Sequence, residues 1–289
     1  MAHADRLPVA RLIGGVPPTA LVLLGIVSVQ VGAALAKQLF AVAGAAGTVT
    51  LRLVVAAVVL VAIWRPSLRL DRRTLLTVVT YGTVLAAMNL CFYASLARIP
   101  LGAAVTIEFL GPLAVAVAGS RRWLDGLWVL LAGTGVVLLT RVQGGLLWTG
   151  VLFALAAGAC WAAYILVTAK LGSQTSDGKG LALAMVVGAA VALPFGVTTA
   201  GTAMLDPVVL AAAVAVALMS SVVPYSLELE ALRRMPPRVF GILMSLEPAV
   251  AAVAGLVLLG EYLAPAQWVA VCCVVIASVG ATRSAKPDV

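Results

Sequence analysis

The chain has 289 residues, of which 63% are hydrophobic and 10% are charged, and its formal net charge is +8. A soluble domain carries about 25% charged residues, so this composition excludes a soluble fold. The chain is expected to lie in a lipid bilayer.

Ten apolar stretches reach the length of about 20 residues that a helix needs to cross a bilayer. Arg121 and Arg122 separate the fourth stretch from the fifth. In chain order, we predict spans at 19–38, 46–64, 74–96, 102–120, 123–141, 149–170, 180–200, 207–231, 238–260 and 265–282. The sequence therefore predicts an all-α membrane protein with ten transmembrane helices.

The basic residues lie mostly on one side of these predicted spans. If the N-terminus is inside, that side holds 15 of the 19 basic residues, which are Arg6, Arg11, Arg65, Arg69, Arg72, Arg73, Arg121, Arg122, Lys170, Lys179, Arg233, Arg234, Arg238, Arg283 and Lys286. The opposite loops hold Arg98 and Arg141. This bias is typical of a cytoplasmic face. It predicts that both termini are cytoplasmic, and it attributes the positive charge to topology rather than to nucleic-acid binding.

One segment of the chain occurs twice, at an offset of 136 residues. The residues in register include the pairs Arg98 and Arg234, Pro100 and Pro236, Leu110 and Leu246, Pro112 and Pro248, and Ala116 and Ala252. Each copy also has a glutamate close to its second proline, but the glutamates are out of register. Glu108 aligns with Met244, and Glu247 aligns with Gly111. Such an internal repeat indicates the architecture before any local feature is considered.

The count of spans predicts how the two copies are oriented. Five spans separate them, so the second copy crosses the bilayer in the opposite direction to the first. We therefore predict two five-helix repeats in inverted topology, 19–141 and 149–282. Inverted repeats of this kind are typical of secondary transporters, which bind substrate near the bilayer midplane between the halves.

Glu108 and Glu247 are the acidic residues deepest in the predicted spans. A charge at the bilayer centre costs roughly 2.5–3.5 kcal/mol on insertion scales, so each carboxyl is expected to face a cavity, hold a proton or pair with a cation. Pro112 and Pro248 lack an N–H, so the carbonyls four residues earlier lose their helical donor. Kinked helices with free carbonyls suit a polar substrate path. The alternative is a simple hydrogen bond between helices from a protonated glutamate.

Further polar residues share helix faces at spacings of three, four or seven. These sets are Gln30 with Lys37, Asn89 with Tyr93, Trp161 with Tyr164 and Thr168, and Ser221 with Tyr225 and Glu228 beside Pro224. Aromatic rings with amides and hydroxyls suit a small zwitterion, although bonding between helices explains each set equally well. Arg52 lies inside the second span, where we expect it to bond free carbonyls or a glutamate in a structural or gating role. Lys37, at the end of the first span, can reach the membrane surface by snorkelling.

The chain lacks the residues that hydrolytic or metal chemistry needs. Its single histidine is His3, in the tail, and no phosphate-binding GxxxxGK[ST] sequence occurs. Cys91, Cys160, Cys272 and Cys273 fall within predicted spans without metal-type spacing. We therefore expect neither an enzyme nor a cofactor nor a metal site, and any energy for transport must come from a gradient.

The chain resembles EamA-type members of the drug/metabolite transporter superfamily in the segments 25–30, 36–37 and 51–53. Within that superfamily, four runs resemble the threonine/homoserine exporter group in order and spacing: 100–116, 158–166, 223–228 and 240–249. The resemblance covers roughly residues 20–282. It implies export of small amino acids across the cytoplasmic membrane of a bacterium, driven by the proton-motive force.

Together these observations lead to one hypothesis for the site. Asn89, Tyr93, Tyr164 and Tyr225 bind the zwitterion, and a carboxyl, first Glu108 and second Glu247, takes its ammonium or a coupling proton. Gln30, Trp161 and Glu228 complete the expected substrate-binding set, and the residues expected to break helices or gate are Arg52, Pro112, Pro224 and Pro248. The main alternative is the same fold exporting an aromatic amino acid, a purine or a drug. A passive channel and an intramembrane enzyme are less favoured.

Overall fold

The structure is a computed structural model that describes residues 15–66, 70–118, 123–141, 146–172 and 179–284. Within these ranges the secondary structure is helical, with no strand. The first half contains α1 (Pro18–Gln38), α2 (Phe40–Trp64), α3 (Arg72–Leu96), α4a (Leu101–Glu108), α4b (Leu110–Ala118) and α5 (Trp123–Arg141). The second half contains α6 (Trp148–Gly172), α7 (Lys179–Ala200), α8a (Pro207–Ala217), α8b (Val223–Leu232), α9a (Pro237–Met244), α9b (Glu247–Leu259) and α10 (Pro265–Ser284).

The predicted all-α membrane fold is confirmed. In the part of the chain that the structure describes, nine helices are long and apolar enough to cross a membrane, judged by length and composition. The remaining predicted span, α5, contains the shorter apolar helix Gly126–Leu139. Large apolar side chains such as Leu130, Val208 and Val257 are more than 70% exposed, as expected of surfaces that face lipid.

Four spans depart from regular α-geometry. The second helix begins at Phe40 rather than at 46, because Leu39 is a one-residue turn and Gly44, with a φ of 63°, interrupts the helix that follows. The fourth and ninth spans are each broken in the middle. In the eighth span a π-helical turn, Leu218–Val222, precedes Pro224. Pro224 offers no N–H to the preceding turn, and the helix is widened over that turn.

Helix packing joins the two halves of the chain. α2 packs on α7, α4a on α9b, and α5 on α10. α3 packs on α6, and α8b packs on α1 in the corresponding way. If helices of the first half are matched in order to those of the second, each of these contacts maps onto itself or onto another of them. This pattern fits the predicted inverted repeat.

The break in the fourth span lies directly against the sixth helix. A Cβ on Gly158 would come within 2.7 Å of the Glu108 carbonyl oxygen, and one on Gly111 would overlap the backbone of Gly158. The two glycines therefore allow the backbones of α4 and α6 to touch, a small-residue contact of the kind common between membrane helices. This contact fixes where the Glu108 side chain leaves its helix.

Candidate functional site

The two broken helices carry the two deepest carboxyls. α4a ends at Glu108 and α9b begins at Glu247, and each side chain is only 8% exposed. Pro112 and Pro248 cannot donate to the preceding turn, which accounts for the breaks at Phe109 and at Ser245–Leu246. The prolines therefore place both carboxyls at helix breaks, and α4a packs against α9b.

Glu247 is held by a side chain from the first helix. Gln30 Nε2 donates to Glu247 Oε1 at 3.2 Å, and Gln30 is 1% exposed. The other oxygen of each group, Gln30 Oε1 and Glu247 Oε2, is buried without a hydrogen-bond partner. Two acceptors are thus left unsatisfied at the interface of α1 and α9b.

Arg52 forms the centre of a second cluster, on the second and third helices. Its Nη1 donates to the Tyr93 hydroxyl at 3.0 Å, and its Nη2 donates to Asn89 Oδ1. The guanidinium carbon lies 5.2 Å from the centroid of the Tyr93 ring, and the Asn89 amide donates to the Leu85 carbonyl at 2.8 Å. Arg52 is 8% exposed and its Nε has no partner, so this cluster presents an unused donor.

Electrostatic interactions connect the two clusters. The charge on Glu108 interacts with those of both Glu247 and Arg52. The thiols of Cys91 on α3 and Cys160 on α6 also interact with Glu108. The Glu108 carboxyl therefore interacts with charged groups of both clusters and is not electrostatically isolated.

Tyrosines and a third glutamate extend the polar region toward the arginine-rich ends of the helices. Tyr225 interacts electrostatically with Arg52, Glu247, Glu228 and Tyr81. The rings of Tyr81 and Tyr164 lie 5.0 Å apart. The polar region thus runs from Arg52 through Tyr225 to Glu228, along α2, α3, α6 and α8b.

An ion pair joins the halves at the opposite ends of the helices. Lys37 Nζ lies 2.6 Å from Glu261 Oε1 and donates to the Ile99 carbonyl at 3.0 Å. Glu261 Oε2 accepts from the backbone N–H of Leu101, the first residue of α4a, at 2.7 Å. Glu261 reaches this position because Gly260, with a φ of 66°, reverses the chain after α9b. We call Lys37, Ile99, Leu101 and Glu261 the latch.

Comparison with known proteins establishes the family. The threonine/homoserine exporter RhtA of Salmonella typhimurium LT2 is 42% identical to the chain over 275 residues, covering 94% of this chain and 93% of the relative. The protein of the same name from Escherichia coli K12 is 41% identical over the same coverage. A model of the EamA-like transporter family matches residues 148–283. The chain belongs to this family.

Membership makes the chain a multi-pass membrane transporter rather than an enzyme. One solved crystal structure supports the fold independently: it superposes with a TM-score of 0.62 and covers 92% of this chain and 97% of its own, at 18% identity. At that identity the similarity concerns the fold alone.

The transporter brings together most of the residues that the sequence singled out, but not in the predicted pairings. Arg52 was expected to bond free carbonyls or a glutamate, and that expectation is wrong for its hydrogen bonds, which go to Asn89 and Tyr93. These two residues were expected to be free for substrate. Lys37, expected to snorkel, instead forms the ion pair with Glu261.

The predicted aromatic face of α6 divides between two neighbours. Trp161 packs edge-on against Phe109 at the α4 break, with ring centroids 5.4 Å apart, whereas Tyr164 packs on Tyr81 of α3. The side chain of Thr168 lies outside the part of the chain that the structure describes. Ser221 is 1% exposed within the π-helical turn, so its predicted α-helical alignment with Tyr225 does not apply.

Sequence reasoning missed Glu261, Tyr81 and Phe109. Glu261 follows Gly260 immediately after an apolar span, and a helix-ending glycine followed by an acid was the available signal. Tyr81 lies eight residues before Asn89, on a nearby face of the same helix. Phe109 gave no signal, since an apolar ring in an apolar span is the ordinary case. Among the described residues, no group of three His, Cys, Asp or Glu could hold a metal ion.

Proposed function

We propose that the chain exports threonine, homoserine or related small amino acids from the cytoplasm by alternating access, driven by the proton-motive force. The observation that carries this proposal is the 41–42% identity, over 94% of the chain, to proteins named threonine/homoserine exporter. The buried polar centre supports it, because a zwitterion needs both donors and acceptors in an otherwise apolar interior.

The proposed architecture is two five-helix halves, 19–141 and 149–282, in inverted topology. Its support is that corresponding helices end and break in register: α3 ends at Leu96 and α8b at Leu232, whereas α4a ends at Glu108 and α9a at Met244. Both offsets equal the 136 residues of the sequence repeat. Alternating access then follows from rocking one half against the other around the centre.

We place both termini in the cytoplasm of a bacterial cell, with the protein in its inner membrane. The support for this orientation is the excess of arginine and lysine on one side. In this orientation the latch of Lys37, Glu261, Ile99 and Leu101 lies at the outer face. The latch then holds the outer end closed, and Glu228 and the tyrosines lie on the cytoplasmic side of the centre.

The proposed binding residues surround Glu108 and Glu247. Asn89, Tyr93, Tyr164 and Tyr225 serve the zwitterion, and one of the two carboxyls takes the ammonium or a proton. The remaining members of the site are Gln30, Trp161 and Glu228. The residues proposed to shape the helices or gate are Arg52, Pro112, Pro224 and Pro248.

Glu108 is our first candidate for the coupling proton. It is buried at a helix break, and the ionisable groups that face it are Arg52 from α2, Cys91 from α3, Cys160 from α6 and Glu247 from α9b. A proton on Glu108 and a positive charge nearby are alternatives, so proton uptake and substrate release can be linked.

A counterflow panel tests the proposed substrate class. Purified protein is reconstituted into liposomes loaded with unlabelled threonine, homoserine, an aromatic amino acid, a purine or buffer, and uptake of labelled threonine is followed. We expect uptake above the buffer level with internal threonine or homoserine. Stimulation by the aromatic amino acid or purine instead would favour the alternative substrates, and uptake indifferent to internal solute would indicate a channel.

A further inference from the structure

Arg52 is a buried cation with an unused hydrogen-bond donor. Two of its nitrogens bind Tyr93 and Asn89, which are both neutral, and Nε has no partner. The ion pairs found among the described residues involve Lys37, Arg233 and Arg234, and none includes Arg52. A buried guanidinium is costly unless an anion compensates it. Glu108 interacts with Arg52 electrostatically but forms no ion pair with it among the described residues, so the free Nε of Arg52 suits a ligand that brings a carboxylate.

The Gln30–Glu247 pair has the opposite chemistry. Both side chains are more than nine-tenths buried, and each retains one oxygen without a hydrogen-bond donor. An ammonium group has three N–H donors and no acceptor, so it has enough donors for both oxygens. A neutral hydroxyl can donate to only one of them, and a carboxylate to neither.

The two sets of unused atoms belong to one centre. Glu108 and Tyr225 each interact electrostatically with both Arg52 and Glu247. An α-amino acid carries its carboxylate and ammonium on the same carbon, so a site for it must present a donor set and an acceptor set to one small volume. The donor set lies on α2 and α3 and the acceptor set on α1 and α9b, and α1 packs against both α2 and α9b.

We propose that Arg52 binds the α-carboxylate of the substrate, and that Glu247 with Gln30 binds its α-ammonium. This inference rests on the proposed function and assigns the two poles of its site. Asn89 and Tyr93 then also orient the guanidinium that binds the carboxylate, and Arg52 has a binding role in addition to the gating role proposed above. The substrate class becomes the α-amino acids with both charged groups free.

Ligand analogues that lack one charge test each pole separately. Binding to purified protein in detergent is measured by thermal stabilisation with three ligands: threonine, threonine amide, which lacks the carboxylate, and 2,3-dihydroxybutanoate, which lacks the ammonium. In the unmodified protein we expect both analogues to bind about tenfold more weakly than threonine, or worse, because each loses a charged hydrogen bond.

The variants Arg52→Gln and Glu247→Gln should each lose one preference. Arg52→Gln is expected to bind threonine and threonine amide about equally, while still preferring threonine to 2,3-dihydroxybutanoate. Glu247→Gln is expected to show the reverse. Arg98→Gln and Glu230→Gln, which alter the same residue types away from the centre, should keep both preferences. If Arg52→Gln does not fold, Arg52→Lys is measured for the same ratio, which should fall severalfold.

The outcomes separate this inference from the proposed function. If threonine neither binds nor exchanges in the unmodified protein, the proposed function is wrong. If threonine binds and exchanges but the Arg52 variants keep the full preference for it over threonine amide, the assignment of the carboxylate pole is overturned. If the Glu247 variant keeps the full preference over 2,3-dihydroxybutanoate, the assignment of the ammonium pole is overturned.

Discussion

The breaks in α4 and α9 occur at equivalent positions of the repeat but place their glutamates differently. Pro112 and Pro248 are equivalent in the repeat and interrupt their helices at matching positions. Glu108, however, is the last residue before its break, whereas Glu247 is the first residue after its own. The helix macrodipole favours a negative charge at the start of a helix and disfavours one at its end. The same break thus offers two different positions for a carboxyl.

The neighbours of the two carboxyls reinforce this difference. Glu247 accepts a hydrogen bond from Gln30 Nε2, which holds the carboxyl in one orientation at the start of α9b. Glu108 interacts with Arg52 and with Glu247 itself, which suits a group that exchanges a proton as its surroundings change. A duplicated helix break can therefore serve two functions if the glutamate precedes the break in one copy and follows it in the other.

Removing the charge of Glu247 should have the largest effect. In Glu247→Gln we expect threonine counterflow to fall at least about a hundredfold, because a buried charged hydrogen bond worth roughly 1.5–3 kcal/mol is lost together with electrostatic attraction. Counterflow in proteoliposomes measures this change. Glu230→Gln, at the helix end beside Arg234, serves as the control and should exchange normally. Near-normal exchange by Glu247→Gln would remove the distinction between the two breaks.

Filling the space beside the α4 break should destabilise the protein. Gly111→Ala places a Cβ against the Gly158 backbone, and overpacking of this kind costs about 1–3 kcal/mol. Gly126→Ala is the matched control, because a Cβ there meets nothing within 4 Å. We expect a lower Tm in detergent for Gly111→Ala and an unchanged or higher one for Gly126→Ala. Equal melting temperatures would contradict the close contact of α4 with α6.

Gln30 hydrogen-bonds Glu247 at the α9 break, and among the described residues no side chain bonds Glu108 in the corresponding way. Gln30→Leu is therefore expected to weaken threonine binding about tenfold, the effect of a hydrogen bond to a charged group, while the response of transport to pH is kept. The checks are thermal stabilisation by threonine and efflux at two external pH values. A changed pH response with unaltered threonine affinity would show that Gln30 acts through Glu108 and not through Glu247.

The latch should give the smallest effect. Lys37 and Glu261 are partly exposed, and exposed ion pairs are worth about 0–1 kcal/mol. We expect Lys37→Gln to raise the labelling rate of a cysteine introduced near the centre by an external reagent about twofold, since the outer end opens more often. Lys37→Glu with Glu261→Lys should return the rate toward normal. A rate unaffected by either change would mean that the latch does not close the outer end.

The sequence was sufficient to predict where the helices lie but not which side chains contact one another. Span positions follow from apolar length, and the breaks in α4 and α9 follow from Pro112 and Pro248. The partners of Gln30 and Lys37 are 217 and 224 residues away along the chain. Which side chains meet depends on how each helix is rotated about its axis, and helices with small residues on several faces leave that rotation open.

Local irregularity was equally hidden from sequence. The spacing of Ser221, Tyr225 and Glu228 predicts one α-helical face. Ser221, however, lies in the π-helical turn before Pro224, so α-helical spacing does not align it with Tyr225 and Glu228. Proline signals that a hydrogen bond is missing without saying whether the helix kinks or widens. In this structure the widened turn packs against α1 and α2.

Proton-driven efflux by Glu108→Gln tests the division between the carboxyls most directly. Proteoliposomes loaded with labelled threonine are given a pH gradient, and efflux is compared with counterflow in the same preparation. We predict that Glu108→Gln retains counterflow while the acceleration of efflux by the gradient disappears. If Glu108→Gln keeps the full pH-dependent threonine flux of the unmodified protein, Glu108 does not carry the coupling proton, and the two carboxyls do not divide proton coupling and substrate binding between them.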